Sequence, residues 1–504
     1  TVVLTGVSRD TSAIASGQAS EVTTTRTWTG TTSSGSDDFD VLVGSLAGRT
    51  LSETVVTRST ALGGKASVSV DSAQALKDKA VPATDHVFAY GVGGAAATVT
   101  AGSIVDGDVE VESLAFNTVR TDKTTNDGKG TVNLSTEIAT SIVGGAATVA
   151  SAGTINGDVD ARSATQAGVT NSGKIWEDVS ASAVVIGSNT SSVTTNFGKA
   201  SQQTTTETVT PVVALGKASV SNAAGALIAG DVRIEAGQGS LTNGGTIGGT
   251  TVLGRNIDTG STTEVRTDTS TATSHAPAAA RLVQTYTADQ NGVSGGFVVL
   301  GGLDNNPTGT GASLTSDVKA TINLNSGSAT LGSIVGEVDA AGNRTTSTTV
   351  NLVGSGFLGA DAILYPNQTW PAGNDKPNPV LSLGKDAQTL FGGSNYQIRV
   401  LGVETLNKEG AGTFVINGAA YDPAGPGGSP TYTLDLGSFN IHGGEVQLAT
   451  SQQDGAEFGI RGNVSNAATL VIGRRITPGQ NLFGNSLVGQ TEMIDGVTVR
   501  QAGN

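Results

Sequence analysis

Few side chains in this sequence could do covalent chemistry, and their surroundings decide what each is for. "GVSGG" (292–296) fits the Gly-x-Ser-x-Gly pattern that lifts a serine nucleophile on a turn between a strand and a helix. Ser294 lacks that setting, because "FVVLGG" follows it and reads as a strand, and no histidine lies nearby in sequence. A plain turn is the expectation. His86, His275 and His442 stand far apart and share no metal-ligand spacing, with His442 at an expected chain corner.

Carboxylates are the stronger candidates. Asp37, Asp38 and Asp40 in "SGSDDFD" (34–40) gather the hard oxygen donors that Ca²⁺ prefers, although the stretch lacks a glycine-spaced calcium loop and a solvated loop competes with that reading. Ca²⁺ is the one cofactor considered. Paired carboxylates can also cleave glycans. Asp108, Asp158 and Asp231, however, recur at one position of a repeated turn. A catalytic acid is singular, whereas an acid that repeats with its corner caps backbone N–H groups there.

That turn organises the chain. "AGSIVDGDVEVES" (101–113), "AGTINGDVDARS" (152–163), "AGALIAGDVRIEA" (224–236) and "LGSIVGEVDAAG" (331–342) share a glycine, an isoleucine, a short turn, an acid and a valine. A partner segment precedes it in "VGGAAATVT" (92–100), "VGGAATVAS" (143–151) and "ALGKASVSN" (214–222), and "LGGKASVSV" (62–70) matches that partner alone. Thr-rich alternating insertions such as "TTTETVTPVVAL" (204–215) separate the copies. Segments such as "GDVEVES" alternate with period two, Val or Ile inward and Ser, Glu or Thr outward. Only "SAQALKDKA" (72–80) and "PAAARLV" (277–283) look helical, and "YPNQTWPAGNDKPNP" (365–379) and "YDPAGPGGSP" (421–430) read as surface loops.

The fold class expected is all-β: an elongated, right-handed parallel β-helix, or solenoid, with Thr-rich insertions. Its rungs would take roughly 20–25 residues each and stack about 4.8 Å apart. Tandem β-sandwiches are the alternative, but they favour a bulky aromatic core, and aromatics are 4% of this chain. The chain divides at 1–91, an N-terminal β region with the Asp-rich loop; 92–280, imperfect repeats; 281–400, a continuation with a Pro-rich loop; and 401–504, the C-terminal coils.

Composition narrows the function. With 71 glycines in 504 residues and 37% hydrophobic content, the chain is built from small and β-branched residues yet is too apolar to be a disordered linker. A net charge of −15 without a basic cluster argues against nucleic acid and anionic lipid as partners. Cysteine is absent, which excludes disulfides and thiolate metal sites and suits a chain exported unfolded. No apolar run is long enough to cross a bilayer as a helix. The opening "TVVLTGVSRD" reads as a mature product whose signal peptide has been removed.

The most specific stretch is "VETLNKEGAGTFVINGAAYDPAGPGGSPTYTLDLGSFNIHGGEVQLAT", from Val403. Leu406, Lys408, Gly410, Gly412 and Thr413 open it, Phe414 and Ile416 form a strand, Tyr432 and Leu434 follow, and Gly443, Gly444, Val446 and Leu448 close it. It resembles the autotransporter-associated β-strand repeat of bacterial type V secreted passengers, departing from it at the Pro-rich insertion 421–430. "GIRGNVSNAATLVIG" (459–473) resembles the next coil, with Val464, Leu470 and Ile472 inward. The outer-membrane translocator barrel of such proteins is absent from this chain, so the resemblance implies a released or trimmed passenger.

Together these readings give the expectation of an extracellular, bacterial cell-surface protein with an adhesive or architectural role and no enzyme activity. Surface glycans, other cells and further copies, meeting through stacked or edge strands, are its expected partners. A self-assembling filament or surface layer is the first alternative. A polysaccharide-active β-helix enzyme is the second.

Overall fold

The computed structural model describes residues 2–4, 10–15, 19–29, 50–60, 64–71, 86–126, 132–196, 203–267, 269–276, 281–301, 316–339, 342–359, 399–417, 433–450, 459–475, 489–494 and 497–502. Among these residues the secondary structure is strand, with no helix. Its main feature is a large parallel sheet nearly closed around an axis, an arrangement compatible with a β-helix.

The chain makes circuits. In one of them Ala146–Ser151 lies on a first ribbon, Thr154–Ile155 on a short third ribbon and Val159–Ser163 on a second ribbon. The next circuit repeats the path with Gln166–Asn171, Lys174–Ile175 and Val179–Ser182. Neighbouring circuits pair in parallel and in register: Ala146 faces Gln166, 20 residues on, and Lys217 faces Gln238, 21 residues on. The expected circuit length therefore holds where nothing is inserted.

Period-two alternation sends one set of side chains inward, and stacking turns each inward position into a column. On the first ribbon Val68, Ala97, Val149, Val169, Val220, Leu241, Ala288, Ile322, Val350, Leu406 and Phe439 form one such column, all buried. On the third, Val105, Ile155, Ile175, Ile228 and Ile247 do the same. Leu470 is buried, whereas Val464, stacked on Phe439, stays 42% exposed because no described strand pairs beyond it.

The Thr-rich insertions have their own order. Among the described residues, four antiparallel two-stranded hairpins leave the body between its second and first ribbons: Ala19–Thr29 with Thr50–Thr60, Ala115–Asn126 with Val132–Val143, Val184–Asn196 with Gln203–Leu215, and Ser261–Arg266 with Thr271–Ala276. They pair with one another into an eight-stranded antiparallel sheet, a wing whose strand order follows the chain.

Spacing explains why, in the described circuits up to Leu253, hairpins follow alternate circuits. The circuits ending at Ala15, Ser113, Ser182 and Leu253 carry one, and those ending at Gly91, Ser163 and Glu235 turn back directly. Each circuit climbs one strand spacing, about 4.8 Å, and each hairpin supplies two strands at the same spacing. One hairpin therefore fills the wing over two circuits. At the base, Leu114 of one hairpin and Val185 of the next pack on Ala164, which lies at a direct turn between them.

Two expectations need correction. The helix expected over 277–283 is contradicted at its end, where Leu282 and Val283 open the strand Leu282–Gln290 and pair in parallel with Ser316 and Asp317. Register with a neighbouring circuit outweighs weak local propensity. The copy at 331–342 is out of phase: Ile334 joins the second ribbon, stacked on Phe297, while Ile155 and Ile228 occupy the third. The helix expected at 72–80 and the Pro-rich loops 365–379 and 421–430 lie outside the described residues.

One inward column of the first ribbon changes chemistry midway. Ser151, Asn171, Asn222, Asn243 and Gln290 stack there, all buried. Asn171 Nδ2 donates to Asn222 Oδ1 at 2.9 Å, Asn222 to Asn243 at 2.9 Å and Asn243 to Gln290 Oε1 at 3.0 Å. A second amide ladder, half-buried, runs Asn440, Asn407, Asn351, Asn323 and ends on Asp289. Breaking the buried ladder leaves its neighbours without partners in a dry interior, so Asn222→Ala is expected to cost about 2–3 kcal/mol, and Asn323→Ala about 1 kcal/mol or less. Urea unfolding midpoints of the two variants check this order.

Candidate functional site

The recurring acids lie on one edge of the body and form a ladder. Asp158 N–H donates to Asp108 Oδ1 at 2.9 Å, Asp178 N–H to Asp158 Oδ1 at 2.9 Å, Asp231 N–H to Asp178 Oδ1 at 2.7 Å and Thr250 N–H to Asp231 Oδ1 at 2.7 Å. His86 sits one circuit below, its Nδ1 accepting from Asp108 N–H at 3.3 Å. Each carboxylate thus caps the N–H of the circuit above, the role that periodicity gives to Asp108, Asp158 and Asp231. Asp178 was not among the residues that sequence pointed to, because Glu177 stands where the other copies have glycine.

The glycine before the acid has a steric cause. A Cβ on Gly157 would sit 2.3 Å from Asp108 Oδ1, one on Gly230 2.2 Å from Asp178 Oδ1, and one on Gly249 2.2 Å from Asp231 Oδ1. The Gly-Asp pair is therefore a two-circuit device, in which the acid fills the space left by the next circuit's glycine. Partial burial raises the Asp158 and Asp178 carboxyls above the usual carboxylate range, and neighbouring acids add to it: Asp178, Glu177 and Asp108 for Asp158, and Asp231 and Glu177 for Asp178. The capping N–H donors oppose that rise.

Ser294 lies in the two-residue strand Val293–Ser294, fully buried, not at an exposed turn. It takes the place of isoleucine in the third ribbon's inward column, and its hydroxyl meets Thr330 Oγ1 of the next circuit at 3.4 Å. His275 Nε2 is 3.5 Å from Asp258 Oδ2 in the fourth hairpin, and His442 Nδ1 is 2.6 Å from Glu409 Oε1 at a corner. The structure does not bring the three histidines together. Asp37, Asp38 and Asp40 lie outside the described residues, and among the described residues no group of three or more acids and histidines is placed to hold a metal.

Two further polar features belong to the body. Glu235 is buried, accepts from Ser182 Oγ at 3.2 Å and faces Arg233 and Arg255 at 3.4 Å each. Beside it Tyr286 Oη lies 2.8 Å from Ala236 O and from Gln284 Oε1, and burial raises its pKa. The acid engages the two cations, the hydroxyl engages Ala236 and Gln284, and Gln284 in turn accepts from Arg255 N–H, so the cluster fastens the circuit to the turn at Arg255. The other feature is Lys408, fully buried, whose ammonium donates to Glu409 O at 2.9 Å and Gly410 O at 2.8 Å. Burial lowers its pKa. The lysine of the C-terminal motif thus ties down the carbonyls of its own corner.

The outer face of the first ribbon offers one accessible polar surface. A shallow groove crosses three circuits there, lined by Gln166, Lys217, Ser219, Gln238 and Ser240. Its middle circuit begins where the third hairpin re-enters the body, after Leu215. Its hydrogen-bonding groups repeat at one strand spacing, about 4.8 Å, along the stack.

Two outcomes follow for the ladder. Gly157→Ala forces a methyl onto the Asp108 carboxylate and is expected to lose about 2–3 kcal/mol, while Gly168→Ala, whose Cβ would meet nothing nearer than 3.4 Å, stays within about 0.5 kcal/mol of wild type in urea unfolding. The ladder also sets a pH dependence. A carboxyl raised above its unfolded value is destabilising while ionised and is relieved as pH falls through the raised folded value. The contribution of Asp158 and Asp178 to stability therefore increases on acidification from neutrality. The double variant Asp158→Asn, Asp178→Asn keeps the side-chain acceptors and should show a flatter pH profile of its urea midpoint.

Comparisons with known proteins are negative: no family model, no curated protein and no solved structure matches this chain.

Proposed function

We propose that this chain is an extracellular bacterial surface protein whose role is adhesive or architectural, and that its body is an elongated right-handed parallel β-helix. The observation that carries this reading is the stacking of short parallel strands, circuit on circuit and in register apart from shifts near Val403, Ser438 and Ala449, with buried columns running through it. Such a stack is stiff because every circuit is held by its neighbours through backbone ladders and side-chain columns. Its polar groups are spent on holding circuits together: the Asp ladder, the amide ladders, Lys408 and the Glu235 cluster all bridge or fasten backbone.

What remains for partners is surface. The wing is wetted on both faces: strand Gln203–Leu215 has no fully buried residue, and Thr271–Ala276 is almost wholly exposed. Hydroxyls repeated at strand spacing, on the wing and along the groove at Lys217, suit many weak contacts with glycans on a cell surface. The C-terminal motif around Lys408 supports descent from a type V passenger, the proposal for how the protein reaches the surface.

Electron micrographs of the purified protein are expected to show single unbranched rods with a body on the order of 60 Å long, from one strand spacing per circuit. Immobilised glycans should retain the protein weakly, and Lys217→Ala with Gln238→Ala should reduce retention by about threefold to tenfold without changing the rod. Separate compact beads would contradict the architecture. Retention unchanged by the groove variants would remove the groove from the adhesive role.

A further inference from the structure

We propose that the groove at Lys217 takes an acidic glycan, a chain carrying carboxylates on its sugars, laid along the stack of circuits. The inference rests on the adhesive reading of that groove and goes further by naming the class of glycan. Lys217 occupies the middle of the three circuits, flanked in its outward column by Gln166 below and Gln238 above. Ser219 and Ser240 stand beside them in the next outward column. All five side chains are exposed.

The cation in this groove is uncommitted. Among the described residues the Lys217 ammonium meets no acid and no carbonyl, and the same holds for Lys319. Gln238 stacks on Thr285 and Thr285 on Lys319, so the two lysines share one outward column. They stand three circuits apart, about 14 Å at one strand spacing per circuit. From Gln166 to Lys319 that column holds no acid, and neither does its neighbour from Gly168 to Thr321. The acids that flank the two columns are already engaged, Asp317 with Arg281 at 3.2 Å and Asp289 with the Asn323 amide at 2.8 Å.

These groups fit a charged sugar chain better than a neutral glycan or a nucleic acid. A carboxylate takes a charge-assisted hydrogen bond from an ammonium, which a neutral sugar cannot match. Amides and hydroxyls both donate and accept, as sugar hydroxyls do, on either side of the charge. One sugar of an extended chain spans about one strand spacing, so successive rings meet successive circuits. A polymer with a carboxylate on every sugar therefore reaches both lysines at any register. Single-stranded nucleic acid is held by aromatic stacking platforms, and the two columns contain no aromatic side chain. The net charge of −15 does not forbid an anionic ligand here. The Asp ladder lies at the corner between the third and second ribbons, away from the outer face of the first, and salt screens it beyond about 10 Å.

The test uses the full chain and two soluble polymers in EDTA: polygalacturonate, and its methyl ester, which is the same backbone with the charge removed. Calorimetry should show polygalacturonate bound about tenfold more tightly than the ester, with the difference shrinking as salt is added. Lys217→Ala with Lys319→Ala should abolish that preference while leaving the circular dichroism unchanged. Lys174→Ala, which removes an exposed lysine from the third ribbon, should preserve it. An ester bound as tightly as the acid would overturn the proposal and leave the adhesive reading of the groove standing, with a neutral glycan as its ligand. Binding of neither polymer would overturn it too, and retention on other immobilised glycans would then decide the adhesive reading separately. A preference that survives loss of both lysines would overturn it by placing the site elsewhere. Duplex DNA bound as tightly as polygalacturonate, and lost in the same double variant, would overturn it by reducing the groove to a cation exchanger.

Discussion

One length governs this molecule: the distance between hydrogen-bonded strands. The body climbs by that length at every circuit, so residues 20 or 21 apart meet their equivalents wherever nothing is inserted. The wing uses the same length, so a two-stranded hairpin matches two circuits. Insertions of very different composition from the body can therefore be carried without disturbing the parallel stack. A hairpin on every circuit would demand twice the wing height that the body provides.

Stacking equivalent residues has a cost as well as a benefit. Apolar columns gain, since each Val or Ile packs on its likeness in the circuits above and below. Charged columns repel. The ladder of Asp108, Asp158, Asp178 and Asp231 tolerates this because each carboxylate accepts a backbone N–H from the next circuit, at 2.7–2.9 Å. Amides suffer no such repulsion, being donor on one side and acceptor on the other, and so Asn171, Asn222 and Asn243 can stack fully buried. Lys408 shows a third solution, in which an interior charge is answered by the carbonyls of its own turn.

Local signals made part of this readable in the amino-acid order. The alternation of "GDVEVES", the Gly-Asp turn and the capping role of its acid are properties of short segments, and they appear in the structure as expected. Asp178 escaped because its turn has Glu177 in place of glycine. The buried amide column escaped because asparagine at a strand end usually marks a turn, and only stacking takes it into the interior. Ser294 carried a hydrolase-like motif, but the structure seats it among the isoleucines of the third ribbon's column. The pairing of the Thr-rich insertions into a wing depends on the pitch of the body, which no single insertion encodes.

The shared pitch of body and wing can be measured directly, because the chain has no cysteine of its own. Leu134 and Thr194 belong to different hairpins and face each other across the wing. Paired antiparallel residues lie about 4.5–5.5 Å apart at Cα, within disulfide reach. Leu134→Cys with Thr194→Cys should oxidise readily to an intramolecular disulfide, whereas Leu134→Cys with Val193→Cys, one residue out of register and on opposite faces, should not. Efficient bridging of the offset pair, or failure of the matched one, would contradict the claim that one strand spacing sets both the circuits and the sheet they carry.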